Sequence, residues 1–210
     1  MSPTPAARPG PSTRPAATAR PAASTRPDAA DDLRAIALRM FAQTGYAGTS
    51  LQQIADAAGY SKSSVLYHFS SKEALFESAI EPAVKTLGAF LDNSVRRVRS
   101  AEELEAFVEE FIDVMLAHRS EVHIIINQGR TLTDIGLIDE ALGYIERIGE
   151  SVMAELPSAT ERMRLSIALA GAAYILAVSP VDPDDDEMPV DEVREALVEV
   201  LTDLLRPLSA

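Results

Sequence analysis

The stretch from Thr49 to Leu75 constrains this chain more than any other, because polar caps and apolar spacing in it fix where helices begin and end. Ser50 precedes a helical pattern and Gln53 follows three positions later, the pairing of a capping box. Leu51, Ile54, Ala55 and Ala58 then fall on one helical face. Gly59 accepts a positive φ and ends the helix. Ser61 is the next N-cap; from it Val65 and Phe69 face inward, while Ser63, Ser64, Tyr67 and His68 point mostly outward. Ser70 with Glu73 reads as another capping box, opening a third helix. Two short helices joined by a tight turn, the second presenting small polar groups with one Lys, one Tyr and one His, make a helix-turn-helix.

A net charge of -13 argues at first against a nucleic-acid partner. Its distribution removes the objection. Residues 1–27 carry +4, residues 28–76 carry -1 and residues 77–210 carry -16. No acidic residue lies between Gly59 and Lys72. The outward face of the second helix is therefore locally free of like charge to phosphate, and any DNA affinity should weaken steeply with salt.

On either side of this stretch the chain reads as helix apart from an N-terminal tail and one late loop. Residues 1–27 are Pro, Ala, Ser, Thr and Arg, with Arg-Pro repeated at 8, 14, 20 and 26, and nothing larger than Ala after Met1 to drive packing. We expect a disordered tail, or an arm whose arginines add phosphate or minor-groove contacts. A first helix is expected from Asp28 to Thr44, ended by Gly45, with Leu33, Ile36, Ala37, Met40 and Phe41 at helical spacing. A long helix follows Ser70 to about Arg99, with Pro82 predicting a kink near residues 78–81. Ser100 with Glu103, and Ser158 with Glu161, mark two further caps. Helices are expected at Glu121–Gln128, Ile135–Leu156, Ser158–Val178 and Val190–Leu205, with a Pro- and Asp-rich solvated loop at 179–189. No alternating strand pattern occurs, so the fold class is all-α: a three-helix head at 28–76 and a larger helical body at 77–210.

Several functions are disfavoured. Cysteine is absent, which removes disulfides and thiolate metal sites. No apolar run approaches ~18 residues, and the N-terminus lacks a secretory apolar core, so a cytoplasmic protein without a membrane span is expected. The histidines at 68, 118 and 123 have no evident catalytic partner, and there is no phosphate loop, metal-spaced cluster or nucleophile motif. No cofactor, metal or catalytic residue is therefore expected.

In the body, Phe107, Phe111, Met115, His123, Ile126, Asn127, Tyr144, Met153 and Tyr174 mix apolar walls with a few polar groups, as a ligand pocket requires, although each alone reads as ordinary core. Ala168, Ala170, Gly171, Ala172 and Ala173 suggest a small-residue face beside the apolar stripe Val193, Leu197, Val200, Leu201 and Leu204. That pairing predicts a homodimer through the helices near 158–178 and 190–205.

The run Gly59-Tyr60-Ser61-Lys62, then Leu66-Tyr67-His68-Phe69 and Ser71-Lys72-Glu73-Ala74-Leu75, resembles the DNA-binding domain of TetR-type transcriptional regulators. The approach from Phe41 to Tyr46 and on to Thr49 and Ser50 resembles it too, so the likeness covers about residues 30 to 77. Leu66 stands where many members of that family carry an aromatic residue. The resemblance implies DNA contacts at Ser50, Gln52, Lys62, Ser63, Ser64, Tyr67 and His68. Lys62 is suited to a guanine edge or a phosphate, and Tyr67, His68 and Lys72 to phosphates. It also implies dimerisation through the last two helices. The expected function is a dimeric regulator, a repressor that binds a palindromic double-stranded DNA operator and releases it when a small apolar ligand enters the body. An activator, a ligand-independent regulator and a helical enzyme acting on a small apolar molecule are the alternatives.

Overall fold

The structure is a computed structural model that describes residues 29–94, 101–154, 156, 158–178 and 189–206. Among these there are nine α-helices and no strand. The head comprises α1 (Ala29–Thr44), α2 (Leu51–Ala58) and α3 (Lys62–His68). The body comprises α4 (Lys72–Ser94), α5 (Ala101–Ala117), α6 (Arg119–Gln128), α7 (Gly136–Ala154), α8 (Ala159–Val178) and α9 (Val190–Leu205), with a 3₁₀ turn at 129–131 after α6.

The caps form as their sequence demands. Gly45 at φ 85° ends α1, its N–H bonding the Phe41 carbonyl at 3.0 Å. Ser50 and Gln53 make both bonds of the capping box, and Gly59 closes α2 at φ 72°. Ser61 accepts from the Ser64 N–H at 3.1 Å to open α3. The cap of α4 differs from expectation. It is Ser71, whose hydroxyl oxygen accepts from the Ala74 N–H at 3.0 Å, and not Ser70 with Glu73. Two adjacent serines can each cap, and Ser71 is the one that does; Leu75 and Phe76 of the following turn are both buried. In the body, Ser158 and Glu161 form the expected capping box at the start of α8. α6 begins two residues before the expected Glu121, and α4 continues through Pro82 without a break. The end of α4 beyond Ser94, Ser100, the acidic loop and the arginine-rich tail lie outside the described residues.

Two apolar cores hold the chain. The first joins Leu33, Phe41, Ile54, Val65 and Phe76 of the head and α4 to Ile124, Ile125 and Ile138 of the body. Phe76 is its centre, edge-on to Phe41 at 5.2 Å and to Tyr46 at 4.9 Å. The second joins Phe90, Phe107, Phe111 and Ile112 to Leu165 and Leu176 of α8 and to Leu197, Leu201 and Leu205 of α9. Asp113 and Arg194 tie α5 to α9 through two bonds of 2.6 and 3.0 Å. The bond from Arg194, more than its charge, holds the Asp113 carboxyl below its ordinary range.

The second core corrects part of the dimer expectation. Leu197 and Leu201 are buried inside their own chain, as are Ala168 and Ala172. Ala170 is exposed, so the small residues spread around α8 and do not form one face.

Candidate nucleic-acid interface and body cavity

Val65 and the C-capping Phe69 anchor α3 in the first core, and the opposite side of the helix faces outward. Lys62, Ser63, Tyr67 and His68 are exposed there, with Tyr67 86% exposed, while Ser64 is half-buried. The Tyr67 and His68 rings meet edge to face at 5.3 Å, so the two polar tips form one patch at the end of the helix. Seven residues of α-helix span about 10 Å, compatible with a major groove about 12 Å wide. α2 adds Gln52, exposed but bonded to Asp56 at 2.8 Å, an exchangeable surface bond. Ser50 is exposed too, but its hydroxyl is committed to the cap, at 2.8 Å from Gln53 Oε1.

Lys72 is placed differently from the phosphate contact expected for it. Its ammonium donates to the Tyr46 carbonyl at 2.8 Å and the Thr49 carbonyl at 3.0 Å, and lies 4.1 Å from the centre of the Tyr46 ring. A cation there neutralises two carbonyls of the α1–α2 turn that no helix satisfies. Thr49, 2% exposed, secures the same turn by donating to the Gly45 carbonyl at 2.8 Å. Burial, and then the Glu73 and Glu77 carboxylates, hold the Tyr46 phenol above its ordinary range, so it remains neutral.

One head contact had no signal in the sequence. Gln128, the last residue of α6, donates to the Phe41 carbonyl at 3.0 Å and accepts from the Tyr46 N–H at 2.8 Å. A single side-chain amide thus clamps the end of α1 from 82 residues away. Arg34 makes a second tie, donating to the Ser78 hydroxyl at 2.8 Å and lying 5.8 Å from the Phe69 ring.

The body encloses a cavity of about 560 Å³. Phe111, Met115 and Tyr174 line it as expected, and so does Ile126. Leu87, Val122 and Leu165 complete its inner wall. Phe107, His123, Asn127 and Tyr144 are not among its lining residues, and the Met153 side chain lies outside those described. Phe107 packs in the second core. His123 donates from Nδ1 to the Ala177 carbonyl, and Asn127 donates to the carbonyls of His123 at 3.0 Å and Ala177 at 3.5 Å. The Ala177 carbonyl lies in the last turn of α8, where no intrahelical donor reaches it, so these two polar residues cap a helix. Tyr144 donates to Glu140 at 2.8 Å, a bond that raises its pKa, and packs beside Gly88 where a Cβ would come within 3.0 Å of the ring.

α8 also carries an uncovered apolar stripe. Met163, Ile167, Tyr174 and Val178 share one exposed side, each more than half exposed, and Val200 of α9 is 59% exposed. Residues 165–178 include no charged side chain. Among the described residues, no helix is long and apolar enough to cross a membrane.

Residues 33–79 match the family of bacterial regulatory proteins named for tetR. Over 40 residues the chain is 58% identical to the HTH-type transcriptional regulator RutR of Escherichia coli K12, covering 19% of each chain. Over 77 residues it is 32% identical to IcaR of Staphylococcus aureus strain Newman, an HTH-type negative transcriptional regulator of the biofilm operon icaADBC; that match covers 36% of this chain and 41% of IcaR. The chain therefore matches well under half the length of these curated relatives. Likeness over most of the chain comes from solved structures. A member of the TetR transcriptional regulator family from Streptomyces coelicolor A3 is 26% identical with a TM-score of 0.63, over 83% of this chain and 90% of that one. A TetR-family regulator from Bordetella parapertussis 12822 shares the fold at 18% identity, with a TM-score of 0.65 over 85% and 96%. Residues 33–79 are thus a TetR-type head by sequence, and the described chain shares the fold of solved TetR-family transcriptional regulators.

Proposed function

We propose that the protein is a homodimeric repressor that binds a palindromic DNA operator through α3 and releases it when a small apolar ligand occupies the body cavity. The observation that carries the DNA reading is the outward face of α3. It is free of acid, carries Lys62, Ser63, Tyr67 and His68 beside an exposed Leu66, and is mounted on a helix whose other side is locked into the core. In this reading Lys62, Ser63, Tyr67 and His68 meet the major groove and its phosphates, with Gln52 contributing from α2. Residues 29–76 form the DNA-binding unit and the remaining helices the ligand-binding and dimerisation unit.

The exposed Met163, Ile167 and Val178 of α8, joined by Val200, support the dimer, with Tyr174 left open at the cavity-side edge of the stripe. A helix apolar on every side is stable only when covered on every side. Two copies paired there also meet along a surface without charge, which matters for a chain of net charge -13. Repression, and not activation, is favoured by the likeness of the head to IcaR, a negative regulator by name.

The test begins with genomic fragments selected by the purified protein. Lys62→Ala and Tyr67→Ala should each weaken binding to a selected operator by about 1–3 kcal/mol without lowering the melting temperature. Wild-type affinity in both variants would remove α3 as the reading helix.

A further inference from the structure

We infer that the body cavity takes an uncharged ligand with a largely hydrocarbon body, entering tail first and leaving its one hydrogen-bonding group at the mouth against the Tyr174 hydroxyl. This rests on the effector reading above and names the chemistry of its ligand.

The inner wall is carbon and thioether: Leu87, Phe111, Met115, Val122 and Leu165, all buried. Among the described residues that line the cavity none is Asp, Glu, Lys, Arg or His. A charge carried inside would lose its water, and one held at the rim would meet no counter-charge among the described lining residues, which selects against ions by roughly tenfold or more.

Among the described residues, two polar side chains line the space. The Ser166 hydroxyl already donates to the Arg162 carbonyl at 2.9 Å. Tyr174, about two turns further along α8, is 58% exposed, beside the exposed rim residues Ile126, Ile145 and Ala170. The cavity thus opens where its remaining polar group lies, and a molecule with one polar end gains most with that end at the rim. A volume of about 560 Å³ is large enough for a ligand of drug size.

The experiment loads the full chain with Nile red, a neutral apolar dye, and displaces it at neutral pH. The competitors are 1-alkanols, alkanoates and alkyltrimethylammonium ions of eight to twelve carbons. Alkanols should bind about fourfold tighter for each added methylene until the cavity is full. Alkanoates and ammonium ions of equal length should bind at least roughly tenfold more weakly. Tyr174→Phe keeps the ring, and with it the apolar stripe, yet should weaken alkanols roughly three- to tenfold while leaving n-butylbenzene unchanged. Ala173→Phe, which fills the wall, should abolish dye binding. If that variant does not fold, Ile126→Trp at the exposed rim should reduce binding instead. Alkanoates that match alkanols overturn the inference. So does dye that fails to bind the wild type, dye binding that survives the filling variant, or a Tyr174→Phe loss shared equally by n-butylbenzene. Operator binding by the ligand-free protein, followed by gel shift, is independent of every arm. Its failure overturns the regulator reading, whereas lost alkanol selectivity with operator binding intact overturns the ligand class alone.

Discussion

Head and body are both helical, yet they are specified in different ways. Each head helix is short and bounded by its own punctuation: Gly45 and Gly59 at positive φ, Ser50, Ser61 and Ser71 as caps. Its polar contacts are mostly local, within a few residues or across one turn. The body helices are long, and their ends and contacts depend on partners far away in sequence. Asp113 meets Arg194, His123 meets Ala177, and Gln128 reaches back to Phe41. A region built from local rules tolerates a variable body behind it, which fits a family match at residues 33–79 and a match of fold over most of the chain.

The sharpest way to break this comparison is within the body. Leu201, 3% exposed, lies on α9 inside the second core, so Leu201→Glu buries an unpaired charge and should cost at least about 4 kcal/mol, unfolding the body. Met163→Glu with Ile167→Glu, on the exposed stripe, should leave the melting curve intact and convert a dimer to a monomer by sedimentation. Operator affinity should then fall ~10²-fold or more, because the second half-site no longer binds intramolecularly. A stable dimer in that double variant would move the interface elsewhere.

Lys72 offers a finer test in the head. If its ammonium serves the turn, Lys72→Met should lower stability by about 2 kcal/mol, the worth of charge-assisted bonds to two carbonyls. A large loss of operator affinity at unchanged melting temperature would restore it to the phosphate contacts. At the joint between the regions, Gln128→Ala should cost about 1–2 kcal/mol. It should also speed hydrogen exchange at the Tyr46 amide, whose acceptor is removed. If exchange there is unaltered, the Gln128 amide does not hold the end of α1, and the apolar core around Ile124 and Ile125 and the Arg34 bond join head and body.

The smallest expected effect is on pH. Asp113 has a lowered pKa in the folded chain, so the α5–α9 tie contributes above the unfolded carboxylate value of about 3.9 and is lost as pH falls through the lower folded value. Both side chains are at least a third exposed, so solvent screens the pair and the loss should be small. Removing it with Asp113→Asn should flatten the acid limb of the melting-temperature profile slightly and leave the head unaffected.

The chain itself determined that it would be all-α, where the head helices start and stop, and that Lys62, Ser63, Tyr67 and His68 share an outward face. Those properties follow from φ preferences, side-chain caps and a period of 3.6 residues, all of which act within a few positions. Even there a choice between adjacent serines was left to the folded structure, since either Ser70 or Ser71 can cap and Ser71 is the one that does. Tertiary structure alone decided which of the polar and apolar body residues meet. His123 and Asn127 look like pocket groups in sequence and cap α8 in space; Leu197 and Leu201 look like an interface and fill a core. Lys72 looks free and is held by two carbonyls, and nothing near Gln128 announces its bond to the end of α1. A helix fixes which residues share a face, but which neighbour that face meets depends on how several helices fill one volume together, and that is settled only when the whole core closes.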